Sequence, residues 1–185
     1  VKDSSLTSGV DFGFAYWSAG ASGFNRWHGN HKTGQGYSTP CTTYNCLKVP
    51  IYKGGAAQIA KMIRTVNPGG GTHLDSAMRI ASRYYKNTTY SPVDKNLDCQ
   101  NSYVILIGDG DWFSHTHNRG LKIVKDLYNN EKIKTFAIAF GTGISANGYR
   151  YFQDVAKAGG TGKSIIATTG ASLTAQLKAK IGEII

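Results

Sequence analysis

The residues best suited to chemistry are oxygen donors that follow apolar runs. Asp109 and Asp111 stand in Gly108-Asp-Gly-Asp111, directly after Tyr103-Val-Ile-Leu-Ile107. Thr72 follows glycines 69 to 71, which let a backbone approach closely. Ser18 closes another apolar stretch, and Thr142 follows Ile133 to Phe140. Hydroxyls and carboxylates are hard ligands, suited to Mg²⁺, Mn²⁺ or Ca²⁺. Plainer roles exist, since Asp-Gly is a common turn dipeptide and three glycines also separate two helices. Histidines form a second set: His73 beside Thr72, His115 and His117 after Asp109, and His28 with His31. On an extended segment, His115-x-His117 points two imidazoles the same way, as a zinc or nickel pair would; solvated loop histidines are the alternative.

These groups need a scaffold. Tyr103 to Ile107 reads as a strand buried on both faces, as in a parallel sheet covered by helices. From there the pattern alternates. Leu121, Ile123, Val124, Leu127 and Tyr128 mark a helix, and Ile133 to Phe140 a strand. Tyr149 to Ala158 is a helix, Ser164 to Ala167 a strand, and Leu173 to Ile185 a helix with Ser172 as N-cap. That order belongs to a parallel sheet with right-handed crossovers, so the fold class is α/β and doubly wound, with helices on both faces. Its ligands bind at the carboxyl ends of the strands, where Ser18, Thr72, Asp109, Asp111 and Thr142 all fall.

Upstream, Val10 to Trp17 reads as a strand in which Gly13 marks a close approach. Leu47 to Tyr52 is a short strand that Pro50 confines to a sheet edge. Helices follow over Gly55 to Val66 and from Thr72, where Leu74, Ala77, Met78 and Ala81 share a face. Residues 86 to 99 are polar loop, and Asn87-Thr-Thr89 matches a glycosylation acceptor, a frequent chance pattern.

Residues 20 to 46 differ from all of this. The segment is rich in Gly, Ser, Thr and Asn, carries Trp27, Tyr37 and Tyr44, and has a length that is usually functional or disordered. Those aromatics offer contact area to a partner, or pack back to anchor the loop. Cys41 and Cys46 are spaced for a small disulfide loop, hence an oxidising compartment; a metal would need further ligands, with only His28 and His31 at hand. Cys99 is left over, either free or bonded outside these residues.

A chain of 185 residues suits one domain, and a net charge of +10 spread without clusters reads as a solvated basic surface. No apolar run approaches membrane-spanning length, and no signal peptide is visible; Val1 begins abruptly, like an excised fragment. Nucleic-acid motifs are absent. Gly159-Gly-Thr-Gly-Lys-Ser164 contains Gly-Lys-Ser, but Lys157 stands where a phosphate loop needs glycine, and the segment enters a strand rather than a helix.

Gly69-Gly-Gly-Thr-His-Leu74 before an amphipathic helix resembles the second metal motif of von Willebrand factor type A domains, and Ile105-Leu-Ile-Gly-Asp109-Gly110 the third. Thr135 to Gly141, Tyr151 to Ala158 and Ser164 to Ile166 also follow that family's pattern, so the likeness runs from Val10 to Ile185. Phe12 to Ser18, the cysteine-bearing insertion at 21–46 and Cys99 to Val104 are similar to the A domain of PilY-type adhesins. The resemblance implies one domain over 1–185, a site with Thr72 and Asp109 as ligands to a divalent cation, and no enzymatic activity. It further implies an exported protein at the tip of bacterial type IV pili, engaged in pilus biogenesis, twitching motility and attachment. Expected partners are host-cell or surface receptors and other pilus-tip components, with no nucleic acid and no membrane insertion. One departure stands out: the first strand and its Asp-x-Ser-x-Ser motif are missing, which would leave two inner strand edges unpaired. A metal-dependent phosphoryl or nucleotide hydrolase using Asp109 and Asp111 is the competing expectation.

Overall fold

The computed structural model describes residues 9–17, 46–66, 72–97 and 99–184. Among the described residues five strands and five α-helices follow one another: β1 (Phe12–Ala15), β2 (Leu47–Tyr52), α1 (Gly55–Met62) with a 3-10 turn at Ile63–Thr65, α2 (Leu74–Tyr85), β3 (Tyr103–Gly108), α3 (Ser114–Glu131), β4 (Lys134–Phe140), α4 (Ala146–Ala158), β5 (Ile165–Ala167) and α5 (Gly170–Gly182).

The later half forms a parallel sheet in the order β3-β4-β5, with Tyr103 opposite Lys134 and Ile138 opposite Ile165. Strand β4 is central and apolar, and both of its faces are covered. Leu106, Ala137 and Ala139 share a core with Val124 and Leu127 of α3 and Phe152, Val155 and Ala156 of α4. Ile138, Ile165 and Ala167 pack against Leu173 and Leu177 of α5. The fold is α/β, with a three-stranded parallel sheet flanked by helices.

Strands β1 and β2 form a separate antiparallel pair, in which Phe12 lies opposite Tyr52 and Phe14 opposite Val49. The register breaks at Gly13, where a Cβ would fall 2.9 Å from both the Ile51 nitrogen and the Val49 oxygen. Here the expected close approach is present. Among the described residues β2 pairs with β1 alone, which suits Pro50.

Among the described residues the strands form two sheets and not one continuous sheet. Among the described residues β1 and β3 do not pair, and a groove runs between them, floored by Ala77, Met78 and Ala81 of α2. Past Gly13 it widens into an open cavity of about 870 Å³, reached also by Ile181 and Ile184. Helix α2 is the bridge. Tyr84 Oη accepts from the Ile51 backbone N–H at 2.9 Å, and Tyr85 Oη donates to the Tyr103 carbonyl at 2.8 Å. The groove corrects one expectation: of Tyr103 to Ile107 only Leu106 is buried, and Ile107 is 39% exposed. Among the described residues β3 has a strand neighbour on one edge alone, and its other edge opens on the groove.

Local boundaries shift for identifiable reasons. The last helix begins at Gly170 because Thr169 is its N-cap, and Ser172, expected in that role, is the reciprocal partner of a capping box. Helix α4 begins three residues before Tyr149, since the Ser145 hydroxyl accepts from Gly148 N–H. Helix α3 begins at Ser114, so His115 and His117 lie in its first turns and not on an extended segment. Two residues apart on a helix, their side chains diverge, and they make no same-facing pair.

Candidate functional site

Three loops meet at the carboxyl edge of the parallel sheet: residues 109–113 after β3, 141–145 after β4, and Thr72-His73 before α2. Hydrogen bonds tie them. Phe113 N–H donates to the Thr72 carbonyl at 3.1 Å. The buried Thr116 hydroxyl accepts from Leu74 N–H at 3.2 Å and donates to the Phe113 carbonyl at 2.8 Å. The first turns of α2 and α3 are thus fixed side by side, with Thr72 half-buried and Asp109 exposed on the rim.

Asp111 is occupied. Its carboxylate accepts from the backbone N–H of Ser145 at 3.2 Å and from the Ser145 hydroxyl, and Ser145 in turn caps α4. A Cβ on Gly148 would fall 1.9 Å from Asp111 Oδ1, so this contact requires glycine there. The acid joins the loop after β3 to the helix after β4.

The three histidines divide. His117 is 7% exposed and stacks on Tyr151, with ring centroids 4.0 Å apart. Trp112 Nε1–H donates to its Nδ1 at 3.1 Å, so the ring proton sits on Nε2, facing Asp154 Oδ2 at 3.2 Å. Both nitrogens are engaged, which makes His117 a link between α3 and α4. His73 and His115 come together instead, with centroids 5.5 Å apart and planes at 81°. Phe113 packs against both, at 5.3 and 5.7 Å.

Some participants escape sequence reasoning. Trp112, Ser145 and Asp154 carry no motif. Asp75 is buried, with Oδ2 accepting from Arg79 Nη2 and Arg119 Nε at 2.9 Å each and Oδ1 unpartnered. Its only sequence sign is an acid in a helix's first turn with arginine four residues on.

Ser18, Trp27, Tyr37, Tyr44, Cys41, His28 and His31 lie outside the described residues. Cys46 is buried and its thiol is not free, whereas Cys99 is an exposed free thiol. Lys48 of β2 is also buried, 4.9 Å over the Tyr16 ring, and burial pulls its ammonium down to about 8.

Thr72 and Asp109 supply two oxygen donors, well short of the roughly six that a hard cation takes. Among the described residues no three His, Cys, Asp or Glu side chains converge on one point. These residues alone do not fit a complete hard-cation shell. None of the described helices is long and apolar enough to cross a membrane. No family model matches the chain, and neither does any curated protein.

Proposed function

We propose that this chain is a non-enzymatic binding module of von Willebrand factor A type within a PilY-type pilus-tip adhesin. The observation that carries this reading is the carboxyl edge itself. Thr72 and Asp109 share a rim fixed by the hydrogen bond from Phe113 to Thr72, while Asp111, the second carboxylate of the hydrolase reading, is engaged by Ser145. Asp111 holds Ser145, and His117 is bonded at both nitrogens. A rim of this kind presents a contact surface rather than an activated nucleophile.

In this reading the groove between β1 and β3 receives a strand, giving one sheet in the order β2-β1-strand-β3-β4-β5. The strand comes from the parent protein and brings the oxygen donors that Thr72 and Asp109 lack. The protein is exported through the periplasm to the pilus tip. There it contacts a surface or host-cell receptor and other tip components and supports attachment, pilus biogenesis and twitching motility.

The test has two arms. Deleting residues 9–184 from the parent protein should reduce surface attachment and twitching. The purified chain should release no phosphate from p-nitrophenyl phosphate with Mg²⁺. Turnover that disappears in Asp109→Asn would replace this reading with the hydrolase one.

A further inference from the structure

We propose that His73 and His115 form a two-histidine site for a borderline divalent transition metal, Zn²⁺ or Ni²⁺, at the carboxyl edge of the sheet. The two residues are 42 positions apart in sequence and reach one spot from different elements, His73 as the N-cap of α2 and His115 in the first turn of α3. Two imidazoles sharing a tetrahedral cation through bonds of about 2.0–2.1 Å hold their ring centroids roughly 5.2 Å apart. The observed spacing is 5.5 Å, with planes at 81°. The centroid spacing thus matches that of two imidazoles on one cation to within a few tenths of an ångström.

The supports of the pair are rigid. The backbone bond from Phe113 to Thr72 and the Thr116 bonds to Leu74 and Phe113 fix the helix starts that carry both imidazoles. Phe113, itself 51% exposed, packs on both rings and limits their rotation. Ligand preorganisation of this kind reduces the ordering cost of binding. Imidazole donors select Zn²⁺ or Ni²⁺ over Mg²⁺ or Ca²⁺, so the site differs in chemistry from the oxygen rim of Thr72 and Asp109. Water completes the shell.

One term opposes the site. Both histidines sit at helix N-termini, whose partial positive charge weakens a cation by up to about fivefold per helix. Each imidazole bond contributes more than that, and the carboxylate of Asp109 lies on the same edge. The expected outcome is a site of moderate affinity.

The experiment is calorimetric titration of the untagged chain with Ni²⁺ and Zn²⁺. One equivalent should bind, and His73→Ala and His115→Ala should each weaken binding at least tenfold. His117→Gln and the double variant His28→Ala/His31→Ala should leave it within threefold. Histidine ring NMR of the unaltered chain gives a readout independent of any variant: the His73 and His115 signals should shift with Zn²⁺ while those of His117 stay put. Absence of saturable binding overturns the proposal. So does binding that survives His115→Ala or moves with the insertion histidines, since the rings then pack with Phe113 without holding a cation. The inference stands apart from the adhesin reading, which the attachment and phosphate-release assays test.

Discussion

At the scale of residues, neighbouring polar groups that look alike in sequence have opposite standing. Asp109 and Asp111 are two residues apart and both exposed, yet it is Asp111 that holds Ser145 at the start of α4. Asp111→Ala, which frees the capping Ser145, should therefore lower unfolding free energy by about 0.5–2 kcal/mol, the range of a lost helix cap. Asp109→Ala should stay within about 0.5 kcal/mol, as surface changes do. Urea melts of the two variants check the contrast, and equal losses would contradict it. His117→Phe keeps a ring against Tyr151 but strands the buried Trp112 N–H, for an expected loss of about 1–3 kcal/mol. Asp154→Asn should cost less, about 0–1 kcal/mol, because that carboxylate is partly solvated. The sequence marks these as chemically capable side chains. Which partner each one finds, Ser145 for Asp111 or Trp112 for His117, depends on how two loops and two helices meet, and no local pattern carries that.

Elements were the most legible level. The β-α-β-α-β-α order from Tyr103 onward, the helical faces of α1 and α2, the close approach at Gly13 and the edge position of Pro50 all follow from periodicity and backbone chemistry. Helix starts were less so, because Ser145 and Thr169 compete with nearby residues for the cap, and only hydrogen-bond geometry decides. The tyrosine pair of α2 was not foreseen either, since it serves two sheets at once. Tyr85→Phe should cost about 0.5–1.5 kcal/mol through the lost bond to Tyr103. Burial also raises the Tyr85 hydroxyl well above its ordinary value. A raised tyrosine stabilises the fold fully below the unfolded pKa of about 10, and that contribution fades as pH climbs beyond it. Lys48 acts in the opposite sense. Its folded value of about 8 lies below the unfolded one, so the unfolded chain binds more protons between them and stability rises across that interval. Lys48→Met should be flatter than the unaltered chain between pH 7 and pH 9.5 in urea melts, and a parallel pair of curves would remove the lysine from the account.

At the scale of the whole molecule, two half-sheets share a floor and face each other across a groove. Among the described residues β1 and β3 do not pair, so the two sheets stay separate at the groove, and no run of the chain read as a strand is left over to join them. Open edges of this kind associate with other edges. At tens of micromolar the chain should sediment faster than a monomer, and Phe14→Lys with Ile105→Lys, which charge both banks of the groove, should restore monomer behaviour. Monomeric sedimentation of the unaltered chain at every concentration would mean that the edges are protected. The groove has a mechanical meaning as well. Across the seam, Tyr84 and Tyr85 of α2 supply polar links to the two half-sheets, set in apolar packing. A pull that drew β1–β2 away from β3–β4–β5 would load those two hydroxyl bonds in series through α2. A strand lying in the groove would join the halves by ladders on both of its edges and turn the same pull into shear across many bonds at once. Occupancy of the groove would then set how much tension the domain bears before it opens.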